Sequence, residues 1–310
     1  MKLLEGKAAL ITGAGRGIGR EEALVMAKEG CNLIINDLGC SLDGTGSDHI
    51  VDEVVKDVKK LGVNAVANYD DISNYKKAKS MLDQAISEFG KLDILVNNAG
   101  IIRDRMSYNM SEEEFDTVIN VNLKGTFNMC RHAASYFKKK WKENRKFSGQ
   151  IINASSDAGL LGNLGQINYG ASKAGIAAMT LILSGELKRF TTVNCVVQIA
   201  RTRFTMSTPQ IAEIMRKKDK NGFDIFNPLN VTPIVIFLAS DQAKKINGEV
   251  FRIAGDKCWI YRGWYIVNKI ENDGKMFTPQ ILGEKIKTEL LKGIPKKQTV
   301  MDMMGKIVEM

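Results

Sequence analysis

The chain reads as a doubly wound α/β fold built on one parallel sheet of about seven strands. Three observations predict it. Short apolar runs alternate with amphipathic helical stretches from Gly6 to about Gly255. Those runs are continuous rather than alternating, as in strands covered on both faces. A glycine-rich turn also joins the first strand directly to the first helix.

In chain order the strand candidates are Ala8–Ile11, Asn32–Asn36, Ala65–Ala67, Ile94–Val96, Gln150–Asn153, Val193–Val197 and Val250–Ile253. Helical periods separate them. Ile50, Val51, Val54, Val55, Val58 and Leu61 fall on one face of a helix; so do Ala78, Met81, Leu82, Ala85, Ile86 and Phe89, with Gly90 as the stop. The expected organisation is a dinucleotide-binding and catalytic domain over residues 1–255. After Gly255 comes an aromatic stretch (Trp259, Tyr261, Trp264, Tyr265), then a lysine-rich helical tail. Residues 256–310 are too few for a core of their own, so they are expected to pack on the domain or on a partner subunit.

Composition narrows the function classes. The chain has 310 residues, 44% hydrophobic and 25% charged, with 28 Gly and 5 Pro, which excludes disordered and collagenous classes. No apolar run approaches the ~18 residues of a membrane span, and the start, Met1 to Lys7, lacks the apolar stretch of a secretory signal. Cys31, Cys40, Cys130, Cys195 and Cys258 are scattered and form no C-x-x-C pair, and only His49 and His132 are present. That pattern predicts no disulfide framework, no metal site and a reducing, cytoplasmic location. The net charge is +9. Its densest cluster, Lys138 to Lys146, closes a helical pattern, where cations are locally favourable. No helix-turn-helix, zinc-finger or RNA-binding aromatic motif accompanies it, so no nucleic-acid partner is expected. A solvated face, or attraction of an anionic small-molecule substrate, accounts for the charge.

The first strand runs into Thr12-Gly13-Ala14-Gly15-Arg16-Gly17-Ile18-Gly19. Glycines let the chain turn tightly and let its backbone approach a pyrophosphate, at which the following helix points free N–H groups. No Gly-Lys-Ser/Thr ends the motif, which excludes a P-loop. Asp37 closes the second strand eighteen residues beyond Gly19, where a carboxylate grips the adenosine ribose and repels a 2′-phosphate. Asp37 therefore favours NAD over NADP. Arg16 pulls the other way if its guanidinium pairs with that phosphate, and is otherwise a solvated loop cation.

The second chemical signal is Tyr169-Gly170-Ala171-Ser172-Lys173 at the start of an apolar helix, with Ser155-Ser156 on the loop after the fifth strand. Tyr169 and Lys173 stand one turn apart on a shared face. An ammonium beside a phenol stabilises the phenolate and lowers a value normally near ~10, giving a group that exchanges protons with an alcohol.

Together with Asn97-Asn98-Ala99-Gly100 and Asn120-Val121-Asn122, these motifs resemble the short-chain dehydrogenase/reductase family over roughly residues 5–255. Within it the chain resembles the (3R)-hydroxyacyl-CoA dehydrogenase branch of multifunctional β-oxidation enzymes. Asn36-Asp37-Leu38-Gly39, Ala67 to Asp70, Ile102 to Arg105 and Gly162 to Gln166 carry that likeness. The resemblance implies a Rossmann-type sheet and four catalytic residues. Tyr169 would be the general acid/base and Ser156, thirteen residues upstream, the donor to the same substrate oxygen. Lys173 would bind the nicotinamide ribose and tune Tyr169, and Asn122 would hold a water that links Lys173 to solvent. Gly13, Arg16, Gly17, Ile18, Gly19 and Asp37 would contact the cofactor. So would Asp71 and Ile72 at the adenine, Asn98, Ala99 and Gly100 beside it, and Thr202 at the carboxamide.

One departure stands out: Gln198 occupies a position where the family usually has a proline near the nicotinamide. Proline would fix φ and remove a donor; glutamine does neither. Nearby Arg201 and Arg203 either steer an anionic substrate or form surface salt bridges. The leading expectation is an NAD(H)-dependent oxidoreductase acting on a secondary alcohol/ketone pair, a 3-hydroxyacyl-CoA or steroid-like thioester. The rivals are an NADPH-dependent 3-oxoacyl carrier-protein reductase and a catalytically weak dinucleotide-binding scaffold. The helix from Tyr169 also carries Ile176, Ala177, Met179, Thr180, Leu181 and Leu183, more apolar surface than one buried stripe needs. With the resemblance, this predicts a homodimer or homotetramer.

Overall fold

A computed structural model describes residues 2–207, 209–218 and 221–308. The strands are β1 (Ala8–Thr12), β2 (Asn32–Asn36), β3 (Ala65–Asn68), β4 (Ile94–Asn97), β5 (Gly149–Ala154), β6 (Thr191–Gln198), β7 (Val250–Ala254) and β8 (Lys257–Tyr261). They form one sheet in the order β3-β2-β1-β4-β5-β6-β7-β8, with every neighbouring pair parallel except β7 with β8. The strand order reverses between β1 and β4. In a doubly wound sheet that places a crevice outside their carboxyl ends, beyond Thr12 and Asn97.

The helices are α1 (Gly17–Lys28), α2 (Val51–Lys59), α3 (Tyr75–Phe89), α4 (Glu112–Val118), α5 (Gly125–Glu143), α6 (Asp157–Leu161), α7 (Ile167–Leu187), α8 (Arg203–Met206), α9 (Pro209–Met215), α10 (Thr232–Ala239), α11 (Pro279–Lys285) and α12 (Val300–Val308). They cover both faces of the sheet. On one face α1, α2 and α10 bury Ala23, Met26, Val54 and Val235 against Ile11, Leu33 and Ile35. On the other, α3, α5 and the end of α7 bury Met81, Met129 and Leu187 against Leu10, Ile34 and Ile151. This is why the strands read as continuous apolar runs. Asn74 caps α3 through bonds from Lys76 and Lys77, and Gly90 ends it in the left-handed region, φ 73°.

The sheet has eight strands, one more than the sequence pattern predicts. Gly255 (φ 56°) and Asp256 turn the chain so that Ala254 pairs with Lys257, and β8 returns antiparallel along β7. As an edge strand it alternates half-buried Lys257, Trp259 and Tyr261 with exposed Cys258 and Ile260, so it lacks the continuous apolar run that marks the others. Beyond β8 the chain is largely exposed until α12, where Met304 and Ile307 bury against Met215, Ile225 and Phe226. Among the described residues no helix is long and apolar enough to cross a membrane.

Candidate active site

At Gly13, Gly15 and Gly19 the glycine-rich turn is packed too closely for a side chain. A Cβ at Gly13, whose φ is +66°, would lie 2.6 Å from the Ala99 Cα, and one at Gly19 would strike the Gly13 carbonyl and the Asn98 amide. Asn98 Nδ2 donates to the Gly13 carbonyl at 2.9 Å. Buried Thr12 Oγ1 accepts from the Asn98 and Ala99 N–H groups, each at 3.2 Å, which locks the ends of β1 and β4 together. No side chain caps α1 at Arg16, so the first N–H groups of the helix are left to face the crevice. That cradle fits the pyrophosphate of a dinucleotide.

At the end of β2, Asp37 is fixed through both oxygens, accepting from Gly15 N at 2.9 Å and Gly39 N at 2.8 Å. The Arg16 guanidinium pairs with Asp48. Asp71 accepts from Ser73 through its N–H and its hydroxyl, at 2.8 and 2.7 Å, and Asn128 donates to the Ile72 carbonyl at 2.9 Å. Thr202 caps α8 in a reciprocal arrangement with Thr205 and stands across from Gly17.

The catalytic candidates come from three elements. Asn122 sits in a π-helical turn, Ile119–Lys124, between α4 and α5. It is fully buried; its Oδ1 accepts from Ile101 N at 2.9 Å, and its Nδ2 donates to the Ile101 carbonyl and the Ser172 hydroxyl. Ser156 ends the loop after β5 and accepts from Ala158 N at 3.2 Å as the cap of α6. That bond uses a lone pair and leaves the hydroxyl proton free to donate. Ser155, by contrast, points its hydroxyl into the Lys173 carbonyl at 2.8 Å. Tyr169 lies in the first turn of α7, and the Lys173 ammonium stands 5.6 Å from its ring centroid while donating to the Ala154 carbonyl at 2.8 Å.

Electrostatics here differ from the expectation that Lys173 lowers the phenol. Burial pushes Tyr169 up to about 12, with the Asp104 carboxylate adding to the rise and the Ser156 side chain opposing it. Lys173 is itself pulled down to about 8 by burial. The physical reason is placement: the ammonium bonds a carbonyl and faces the ring rather than the phenol oxygen. Tyr169 therefore keeps its phenol proton at neutral pH.

All the predicted site residues except Gly19 and Asn122 line one cleft of about 860 Å³. Those two act from behind it, Gly19 by admitting the backbone of the turn and Asn122 by fixing Ile101. Of the two readings of Arg201 the structure bears out the salt bridge: it forms an ion pair with Asp224 and donates to the Met215 carbonyl. Arg203 lines the cleft and reaches the Cys40 carbonyl at 3.4 Å.

Sequence reasoning missed several contributors. Buried Asn168 accepts from Tyr169 N at 2.7 Å and donates to the Arg103 and Glu114 carbonyls, fixing the start of α7. Gln198 donates to Glu22 on α1 at 2.9 Å and to the Val231 carbonyl at 3.0 Å, so two side-chain bonds anchor a loop that proline would stiffen. Enclosed Glu22 has one oxygen without a partner, and burial raises it to about 7. Finally, Val300, Met301 and Met304 of α12 line the cleft with Ile211 and Met215. The Glu22–Gln198 pair spans 176 residues, and no local pattern announces it.

Comparison with known proteins agrees with this geometry. Residues 7–211 match the family described as short chain dehydrogenase. The chain belongs to the short-chain dehydrogenase family. As a short-chain dehydrogenase it is an oxidoreductase that uses a nicotinamide dinucleotide. It is 39% identical over 279 residues to the hydroxyacyl-CoA dehydrogenase ChsB1 of Mycobacterium tuberculosis, covering 89% of this chain and 86% of that one. It is 35% identical over 289 residues to the peroxisomal hydratase-dehydrogenase-epimerase of Saccharomyces cerevisiae, covering 91% of this chain but only 30% of that longer protein. A 3-oxoacyl-[acyl-carrier-protein] reductase of Staphylococcus aureus is 38% identical over 255 residues, 80% of this chain and 97% of the reductase. Among solved structures, a short chain dehydrogenase from Mycobacterium avium superposes with a TM-score of 0.84 at 38% identity, covering 96% of this chain and 99% of that one. One from Mycobacterium paratuberculosis bound to NAD gives 0.69 at 26%, covering 81% and 97%.

Proposed function

We propose that this dehydrogenase uses NAD(H) to interconvert a 3-hydroxyacyl thioester and its 3-oxoacyl partner, with acyl-CoA as the substrate class. The observation that carries the reading is the convergence of Ser156, Tyr169 and Lys173 on the cleft that the Gly13–Gly19 turn opens. NAD over NADP is supported by Asp37, held in the cleft by two backbone bonds, while Arg16 is turned to Asp48. The apolar wall of Ile211, Met215, Met301 and Met304 supports an acyl substrate, as does the likeness to ChsB1. Gln198 supports activity rather than decay, since its carboxamide is fully built into the loop.

The chemistry that a bound nicotinamide would supply here is hydride transfer to or from the substrate carbon. In the reducing direction Ser156 donates its free hydroxyl proton to the substrate carbonyl oxygen, orienting the carbon. Tyr169, neutral because it is buried, gives its phenol proton to that oxygen as charge develops there. Lys173, whose ammonium donates to the Ala154 carbonyl beside the Tyr169 ring, would hold the nicotinamide ribose. The Asn122 side chain is taken up by Ile101 and Ser172 and its carbonyl by the Thr126 hydroxyl at 2.7 Å, so its part is to hold Ile101 in place beside the cleft. Oxidation reverses these steps and needs Tyr169 deprotonated, so its rate rises with pH through the neutral range.

Leu181 and Ile182 of α7 are exposed, as are Trp264, Tyr265 and Ile266 just after Gly263, which lies against Leu181; these apolar groups support a two-fold homodimer across this helix. The unpaired cysteines support a cytoplasmic setting. Nicotinamide absorbance with acetoacetyl-CoA tests the reading: turnover with NADH is expected. Tight NAD binding without turnover on any ketone would favour the scaffold reading.

A further inference from the structure

We propose that Arg252 is a positioning residue, clamping the turn that carries Ser156 and the C-terminal helix α12 to one buried point, so that the tail sets where the Ser156 hydroxyl stands. The proposal rests on the reading of Ser156 as the substrate-oxygen donor.

Asp157 follows Ser156 directly and opens α6. Its carboxylate accepts from Arg252 Nε, 3.0 Å to each oxygen, from Arg252 Nη2 at 2.9 Å and from the Tyr261 hydroxyl at 2.7 Å. Arg252 lies on β7 and Tyr261 on β8, so two strands converge on the residue beside Ser156. The guanidinium also stacks 4.8 Å from the Trp259 ring and donates from Nη2 to the Met303 carbonyl of α12 at 3.4 Å. Lys257 makes the second tie, donating to the Ile307 carbonyl at 3.4 Å near the end of that helix.

Core packing does not account for this pair. Arg252 and Asp157 side chains are 0% and 3% exposed, and Arg252 Nη1 is buried with no partner. A buried ion pair is often no more stabilising than apolar residues of similar volume, whereas removing one partner is strongly destabilising. Phe251 and Ile253 on either side show that β7 otherwise carries apolar residues. What the pair does provide is direction. A bidentate fork fixes the carboxylate in orientation as well as distance, and therefore fixes the backbone from which Ser156 projects. The same fork holds α12, whose Val300, Met301 and Met304 line the cleft that Ser156 and Tyr169 share.

Around Tyr169 the charged or donating groups are Lys173, Asp104 and Ser156, and of these Ser156 favours the phenolate. Displacing Ser156 therefore leaves a second trace beside a lower rate: the alkaline limb of oxidation moves to higher pH. A residue that merely stabilised the fold would not move that limb.

The test is steady-state oxidation of (3R)-3-hydroxybutyryl-CoA against pH, with NAD affinity and melting temperature measured alongside, in the full chain. Arg252→Met is expected to lose roughly 10- to 100-fold in kcat, the scale of a small misplacement in an active site. NAD affinity should be unchanged, and the alkaline limb should rise. Arg252→Lys keeps a cation at Asp157 without the fork and should recover part of the loss. Ser156→Ala separates the two claims. If it keeps the wild-type rate, the reading of Ser156 fails and the proposal with it. If it is inactive while Arg252→Met keeps the wild-type kcat and pH profile, the proposal alone is overturned. Should Arg252→Met not fold, Tyr261→Phe decides, because it removes one donor to Asp157. A smaller loss with the same shift supports the proposal, and an unchanged profile overturns it.

Discussion

In the turn from Gly13 to Gly19 the glycines at both ends are set by backbone close by: a Cβ at Gly13 would meet Ala99, and one at Gly19 would meet Gly13 itself. Elsewhere around the cleft, Arg252 meets Asp157 from 95 residues away, and Gln198 meets Glu22 of α1 from 176 residues away. The cofactor half is shaped by backbone approaching backbone, which only certain residue types permit. The substrate half is shaped by pairs of side chains whose partners could be many residues. The first kind of construction tolerates little change, whereas the second can be rebuilt pair by pair, and it is where this chain departs from its family's pattern.

The largest expected effect falls where the two halves meet. Tyr169→Phe removes only the exchangeable proton, so turnover should fall ~10²- to 10⁴-fold while NAD affinity is kept, as read by kinetics beside nucleotide titration. A variant near the wild-type rate would remove Tyr169 from its role.

Next in size is the cofactor half alone. Asp37→Ala should raise the preference for NADP relative to NAD by about tenfold or more, since a contact between like charges costs over 1 kcal/mol at the protein surface. Competitive binding of the two dinucleotides reads it. A strong NADPH preference in the unaltered protein would show that Arg16, not Asp37, governs the choice.

The Glu22–Gln198 pair gives a smaller effect that reports on the tie between α1 and the end of β6. Glu22 is raised from 4.5 to about 7 by burial, so between those values the folded chain holds a proton that the unfolded chain has released. Its contribution is intact below pH 4.5, declines as pH rises and is lost above 7, a difference of roughly 3 kcal/mol at 1.36 kcal/mol per pH unit. Glu22→Gln should therefore be the more stable protein at pH 8, with the advantage shrinking at pH 5. Denaturant melts at the two values check it, and an equal difference at both would show that Glu22 does not titrate there.

Smallest is Lys173→Met. Its ammonium is lowered to about 8 by burial, so the folded chain binds fewer protons than the unfolded one above that value, and stability rises with pH towards 10.5. The variant should lose this rise and melt higher at pH 7 in a thermal melt, by a gain that the lost bond to the Ala154 carbonyl partly offsets, although nucleotide affinity and rate both fall.

The same contrast explains what could be read from the chain. The sheet, the glycine turn, Asp37 and the Tyr169–Lys173 spacing follow from sterics and periodicity within short windows, and the structure places them in one cleft. β8 escaped because an edge strand covered on one face alternates instead of running apolar. Asn168 resembles any polar residue in a helix until its bonds to Arg103 and Glu114 are seen. The Arg201 side chain, a plausible anion guide in sequence, is neutralised by Asp224, which only the folded loop brings near. The high phenol of Tyr169 was equally hidden, since spacing places Lys173 one turn away but does not say which oxygen its ammonium bonds.

The central claim is that this cleft exchanges a hydride between NAD(H) and a 3-oxoacyl thioester, with Tyr169 supplying the proton. The most direct measurement is kcat/KM for acetoacetyl-CoA reduction with NADH and with NADPH, run beside simple ketones and beside Tyr169→Phe. The account predicts a clear preference for NADH and for the thioester, with the variant nearly silent. Equal or better rates with NADPH, or no turnover of the thioester by a protein that binds NAD tightly, would contradict it.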